Sequence, residues 1–285
     1  MPKTTSIFTA PSAELLNSLP LGTRSDLVVN RFGLETRKTD DFVTIRTLGR
    51  PNYYFGNLLA INTLSLHSKA EWEQIFDQEF LDIPGTHHKN FTWKHLTHYD
   101  SERQQSDLIE EFKSSGYHHD VSDVRMASTS TWNAPTLNAA FTVRPLTSES
   151  DWDQWTESHV LYREDGHEEA GYRKFVSGSR ATYQRLIDEQ SGVQLGAFDA
   201  QDRLVSFAGV FYQHRLARCQ FVFTDPAFRN KGLCQTVLHH LAQHAFQHAD
   251  QLVICADETY FATHIYEKLG FKLASRESAL CLWAD

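Results

Sequence analysis

Past residue 140 the hydrophobic positions fall into a regular succession of periods. Phe141-Thr142-Val143-Arg144-Pro145-Leu146 alternates as a short strand. The next run, SESDWDQWTESHVLYRE, sets Trp152, Trp155, His159 and Tyr162 at three- and four-residue steps behind a helix start at Ser148 to Asp151. A second helix is predicted over Ala170 to Glu189, with Ser177-Gly178-Ser179 as a place where it could break. A meander of three strands follows, Val193 to Phe198, Leu204 to Tyr212 and Ala217 to Thr224, with turns at Asp199 to Asp202 and near His214. The remainder reads as a helix from about Gly232 to His248, a strand Gln251 to Ala256, a helix Thr259 to Leu269, and two final strands around Phe271 to Leu273 and Ala279 to Trp283.

The amino-terminal half carries a fainter copy of this order. Strands are expected at Phe42 to Leu48 and Tyr53 to Ile61, a helix near Lys69 to Phe80, a strand at Asn90 to His95 and a helix at Glu102 to Ser114. The segment Asp107 to Tyr117 ends a helix in a small-residue turn plus an aromatic, as does Ile265 to Phe271, which favours an internal duplication. Between the halves, Ala127 to Asn138 is rich in Ser, Thr, Asn and Pro without a hydrophobic period, and reads as a linker. The expected fold class is therefore α/β, with mixed central sheets flanked by helices, in two similar tandem domains at residues 1–130 and 139–285.

Composition narrows the classes. The 285 residues leave room for roughly two domains. A content of 41% hydrophobic and 12% aromatic residues, against only 14 Gly and 8 Pro, excludes disordered and collagen-like chains. The net charge of −9 is spread evenly, with 13 basic and 17 acidic groups in residues 1–135 and 14 and 19 thereafter, so no nucleic-acid partner is expected. No apolar run approaches the roughly 18 residues of a membrane helix, and the first twenty residues lack the apolar core of a signal peptide. A cytoplasmic protein without a membrane partner is expected. Cys219, Cys234, Cys255 and Cys281 form no CxxC pair, which points to reduced, mostly buried thiols.

The candidate chemistry lies in Cys219 to Gln235, a strand entering a short loop that opens a helix. A helix start leaves unpaired N–H donors and partial positive charge, a site for pyrophosphate, and Gly232 would let the backbone approach such a ligand. Arg229 and Lys231 add counter-charge at the rim. On spacing alone, an ordinary strand-to-helix turn relieved by a glycine is an equal reading.

Two stretches, Arg229-x-x-Gly232-x-Cys234 ahead of an amphipathic helix, and Thr259-x-x-Ala262-x-x-x-Tyr266-Glu267-Lys268-Leu269-Gly270-Phe271 after the next strand, resemble the GNAT superfamily of acetyl-CoA-dependent N-acetyltransferases. The first is similar to the family's Gln/Arg-x-x-Gly-x-Gly/Ala pyrophosphate loop. The second is similar to its Asn-x-x-Ala-x-x-x-Tyr helix with a Leu-Gly-Phe-like end. The resemblance covers about residues 140 to 285; residues 1 to 126 contain no such Gly-rich loop. It implies acetyl-CoA as acyl donor, with the backbone of Val222, Phe223 and Thr224 bonding the pantetheine amides where parallel strands splay. It further implies loop N–H groups of Arg229, Asn230, Lys231, Gly232, Leu233 and Cys234 around the pyrophosphate, Thr259 and Ala262 as further cofactor-binding positions, and Tyr266 as general acid for the leaving thiolate. An amine attacking a thioester needs a neutral nitrogen, aimed donors for the oxyanion and a proton for the sulfur, and a phenol can supply the last. The alternative for Tyr266 is core packing between Ile265 and Leu269.

Three departures from the family pattern stand out. Cys234 fills a Gly/Ala slot, where a helix start could lower its thiol pKa. Thr259 replaces the usual Asn. The strand Ala217 to Thr224 holds no carboxylate to act as general base, which leaves Glu258, Asp257, His214 or a water relay. His240, His244 and His248 share a helix face opposite Leu233, Val237, Leu241 and Ala245, and are read as solvent-facing rather than as metal ligands; no metal is expected. His87-His88 and His118-His119 are read as polar loops or edges. The acidic run Arg163 to Glu169 lies between the first two helices of the second half and is read as a solvated face, though a cationic amine would be drawn to it.

The expected activity is transfer of acetyl from acetyl-CoA to a primary amine of a small molecule or peptide, by direct attack in a ternary complex, in a monomer or homodimer. The first half is expected to be degenerate, to hold no acetyl-CoA and to help wall the acceptor site. The rival expectation is a non-catalytic acyl-CoA-binding or scaffold protein.

Overall fold

One succession of elements occurs twice along the chain. The computed structural model describes residues 8–51, 53–95, 99–163, 168–259 and 262–283. Helices α1 (Ala13–Ser18) and α2 (Leu21–Val29) lead into strands β1 (Leu34–Lys38), β2 (Phe42–Thr47) and β3 (Leu58–Ile61), then α3 (Lys69–Glu79), β4 (Lys89–Lys94) and α4 (Tyr99–Ser114). After β5 (His118–Ala127) and β6 (Thr142–Pro145) the order returns: α5 (Glu149–Leu161), α6 (Glu169–Asp188), β7 (Gly192–Phe198), β8 (Leu204–Gln213), β9 (Leu216–Thr224), α7 (Leu233–Ala245), β10 (Gln251–Asp257) and α8 (Thr263–Lys268). In each set the first three strands are antiparallel neighbours and the fourth joins the third in parallel. The architecture is the expected α/β one, with mixed sheets flanked by helices.

The chain divides into two units that interleave. The first comprises Met1–Val124, Cys255–Thr259 and Leu273–Asp285; the second comprises Arg125–Ile254 and Tyr260–Lys272. The expected division was into two continuous halves, whereas the final strand, β11 (Lys272–Leu282), groups with the first unit apart from its first residue. It is one strand rather than the expected two, and pairs antiparallel to β4 with Leu280 opposite Phe91. Its Glu277 also caps α2, accepting N–H groups of Gly22 at 2.5 Å and Thr23 at 2.8 Å. Such a cap satisfies the donors that a helix start leaves open.

In the first unit the sheet is buried on both faces. Phe42, Leu59, Trp72, Phe76, Phe91 and Phe112 form the core under α3 and α4, and Leu27, Val43, Ile45 and Leu58 the core under α2. The predicted strand Tyr53 to Ile61 shrinks to Leu58–Ile61, because Tyr54–Gly56 turn as a 3-10 helix. His88, expected at a polar edge, is buried, with burial pulling its pKa down to about 4.

In the second unit, α5 starts where the sequence predicts, with Ser148 and Asp151 forming a reciprocal capping box. Helix α6 runs unbroken through Ser177-Gly178-Ser179, where Val176 and Ser179 are buried and the hydroxyls of Ser177 and Thr182 donate to the carbonyls of Arg173 and Gly178. Leu233, Val237, Leu241 and Ala245 of α7 are buried, as the periodicity requires. The opposite face is less open than expected: His248 stacks on Tyr212 at 4.4 Å, and the half-buried His244 lies 5.9 Å from the same ring. Among the described residues no helix is long and apolar enough to cross a membrane, and no group of three or more His, Cys, Asp or Glu is arranged to hold a metal.

The polar stretch read as a linker packs down within this unit. Asn133 N–H donates to Leu269 O, Asn138 N–H to Thr236 Oγ1, and the Trp132 ring meets Phe271 edge-on. Gly270 lies beneath it at φ +96°, where any Cβ would strike the Thr131 carbonyl. Gly270→Ala is therefore expected to destabilise the protein by about 3 kcal/mol, as the left-handed strain and the backbone overlap add. Urea unfolding measures the effect; a loss below about 1 kcal/mol would show that the strap moves aside at little cost.

His159 in α5 is 9% exposed and its Nε2 has no hydrogen-bond partner. Burial pulls its pKa down to about 3. The unfolded chain therefore takes up this proton first, and stability falls as pH drops from about 6.5 toward 3. At pH 4.5 the loss from this group is expected to be about 2–3 kcal/mol. Urea midpoints at pH 7 and 4.5 should separate less in His159→Phe than in the parent protein; equal separations would remove His159 as the source.

Candidate functional site

The site forms where β9 leaves its neighbour. Strands β9 and β10 pair in parallel over Leu216 to Arg218 against Gln251 to Val253, and β9 continues to Thr224 beyond that ladder. On its other side the register with β8 shifts between Phe207 and Gly209, and Phe221 opposite the shift has φ +48°. This is a β-bulge, which bends the strand and re-aims its side chains. After Thr224, Asp225 caps a 3-10 turn at Pro226–Phe228, and the chain passes through Asn230 at φ +62° and Gly232 at φ +72° into α7. Gly232 gives α7 no side-chain cap, and the first turn holds no acidic residue. The helix start thus keeps open donors and its positive pole.

A cavity of about 380 Å³ lies against these elements, within the size range of small-molecule sites. Val222, Phe223 and Thr224 border it along the strand, and Arg229, Asn230, Gly232, Leu233 and Cys234 along the loop and helix start. Ala262 and Tyr266 border it from α8. Tyr266 is buried, its ring edge-on to Phe271 at 6.1 Å. Helix α8 begins only at Thr263, with Ala262 as its N-cap, rather than at Thr259.

Residues 161–279 match the family model for a GNAT acetyltransferase domain. This stretch is similar to a GNAT acetyltransferase domain. The fold is that of enzymes that transfer acyl groups from acyl-CoA. No curated protein matches the sequence. Among solved structures, a functionally unknown conserved protein of Staphylococcus epidermidis superposes with a TM-score of 0.70 at 11% identity, covering 87% of this chain and 93% of that one. A GCN5-related N-acetyltransferase of Kribbella flavida superposes at 0.60 with 12% identity, covering 91% and 93%. A tandem GNAT protein from the clavulanic acid biosynthesis pathway does so at 0.54 with 11% identity, covering 97% and 91%.

Two residues named from the GNAT motifs stand outside the cavity lining. Thr259 groups with the first unit, and its N–H and hydroxyl both donate to Asp257. Lys231 is exposed, with Nζ 4.6 Å from the Phe228 ring centre. Four lining residues were missed: Phe228, Gln235, His264 and Ile265. The signal for Gln235 and His264 was their place in the first turns of α7 and α8, which face the cavity of a GNAT domain; Phe228 had none beyond its neighbourhood to Arg229.

The structure also corrects two expectations about reactive groups. The Cys234 thiol is not lowered by the helix start: burial pushes its pKa up to about 12, so it is a protonated neighbour of the cavity. His214 sits in the turn before β9, and six residues of strand, roughly 20 Å at about 3.3 Å each, separate Leu216 from Val222 at the cavity. It is not a base for this cavity. Glu258 lies 4.0 Å from Arg276 in the first unit. The acidic run falls largely on 164–167, outside the described residues.

Proposed function

We propose that the GNAT domain transfers acetyl from acetyl-CoA to a primary amine by direct attack in a ternary complex. The observation that carries this reading is the uncapped start of α7 at Gly232, opening on the cavity that Tyr266 also lines. The donor set fits the cofactor: first-turn N–H groups and a left-handed glycine for the pyrophosphate, and an open strand edge at Val222 to Thr224 for the pantetheine amides. Bound acetyl-CoA supplies an activated thioester carbonyl. The amine nitrogen bonds to that carbonyl carbon as the carbon–sulfur bond breaks, with the electron pair leaving on sulfur. The nitrogen releases one proton to water, and Tyr266 gives its hydroxyl proton to the thiolate and recovers one from water. A covalent acyl-cysteine route is disfavoured, because Cys234 stays protonated.

The first unit repeats the element order, which supports a duplication, but its equivalent strand-to-helix passage is closed. There β3 enters α3, and Ser68 and Glu71 cap the helix reciprocally. In the repeated order β3 occupies the place of β9. One acetyl-CoA per chain is the reading supported. The test is incubation of the full chain with acetyl-CoA and amines, following thiol release alongside calorimetric stoichiometry. Binding without thiol release on any amine would favour a non-catalytic acyl-CoA-binding protein.

A further inference from the structure

Beside the cavity, the second unit holds a surface that the acyl-transfer reading leaves unused. Phe223 borders the cavity, and its ring also stacks on Phe207 at 4.9 Å and leans on Tyr162 at 5.3 Å. Two residues earlier, Phe221 occupies the bulge in a left-handed conformation that a bulky side chain rarely adopts. Its ring rests on His159 at 4.5 Å and Tyr183 at 6.0 Å, and meets Phe175 at 6.3 Å. Phe175, Phe221 and Phe223 are only half-buried, and Tyr162, at the C-cap of α5, is 43% exposed. The rings behind them, Trp155, Phe207 and Phe211, are fully buried. Folding closes one aromatic layer and leaves the next half-buried to exposed, with Phe223 carrying it to the cavity, an apolar patch of the kind that marks a ligand surface.

Charge around this wall is already matched among the described residues. Glu157 pairs with Arg173, Glu169 with Arg173 and Arg163, and the Glu168 carboxylate accepts the N–H of Gly171 at the start of α6. Among the described residues, the wall offers ring faces and edges.

We infer that the acyl acceptor is a primary amine on a short arm from a planar aromatic ring, with the ring seated against Phe221, Phe223, Phe175 and Tyr162. The inference rests on the acyl-transfer reading and names its acceptor. Phe223 borders both surfaces, so a ring on the wall and a nitrogen at the cavity need only a short connection. Bond making and breaking are those already given.

The test uses the full chain and acetyl-CoA with 2-phenylethylamine, n-butylamine and spermidine, following thiol release. The aromatic amine is expected to show a kcat/KM at least about tenfold above both others, the scale of one or two ring contacts. Tyr162→Ala, a change at an exposed position, should raise KM for 2-phenylethylamine several-fold while leaving KM for n-butylamine where it was. Equal kcat/KM for the three amines, or a preference for spermidine, overturns the aromatic acceptor and leaves acyl transfer standing. Acetyl-CoA binding without thiol release from any amine overturns the acyl-transfer reading, and this inference with it.

Discussion

Gly232→Glu is expected to weaken acetyl-CoA binding by more than about 100-fold, roughly 3 kcal/mol, while the protein remains folded. Two effects combine at that position. Gly232 has φ +72°, so a side chain there carries left-handed strain of about 1 kcal/mol. A Cβ would find only the Gln235 amide, at 3.4 Å, so space itself does not forbid it. The larger effect is electrostatic. A carboxylate at the N-cap can bond the first-turn N–H groups that the wild-type start leaves open, and it places negative charge where the pyrophosphate would sit. Gly232→Ala separates the two: it carries the strain without the charge, and should bind within about tenfold of the parent protein. Calorimetric titration reads both variants. An unchanged dissociation constant for Gly232→Glu would remove the helix start from the cofactor site.

How much of this site was legible in sequence depended on how local its determinants were. The start of α5 is written in Ser148 and Asp151, and α7 in Leu233, Val237, Leu241 and Ala245, because capping and helical periodicity are properties of neighbouring residues. The bulge at Phe221 was not legible: it exists because β8 and β9 slip register, a relation between strands eleven or more residues apart along the chain. The strap over Gly270 was misread for a related reason. Its Ser, Thr and Asn side chains are the mark of a solvated loop, yet Asn138 Nδ2 donates to Lys231 O, and Thr136 O accepts from Gln235, so polar residues served packing. Helix α1 and strand β1 are too short, and Leu34–Lys38 too polar, to produce a period at all. Cys234 shows the limit for chemistry: a helix start argues for a low thiol pKa, and only the burial visible in three dimensions reverses the sign.

Tyr266→Phe is expected to lower turnover about 100-fold while changing the Michaelis constant for acetyl-CoA much less. The ring is buried and meets Phe271 edge-on at 6.1 Å, and phenylalanine keeps that contact, so the fold and the cavity wall should survive. What the substitution removes is the hydroxyl, the group proposed to protonate the departing sulfur. A proton needed only as the carbon–sulfur bond breaks stabilises the transition state and not the bound ground state, which places the loss in kcat. If Tyr266 served packing alone, the variant would lose little activity, and any loss would track a lower unfolding midpoint. Steady-state kinetics with a saturating amine, set beside urea unfolding of the same preparation, distinguishes the two. Parent-level turnover in Tyr266→Phe would leave the thiolate to take its proton from water.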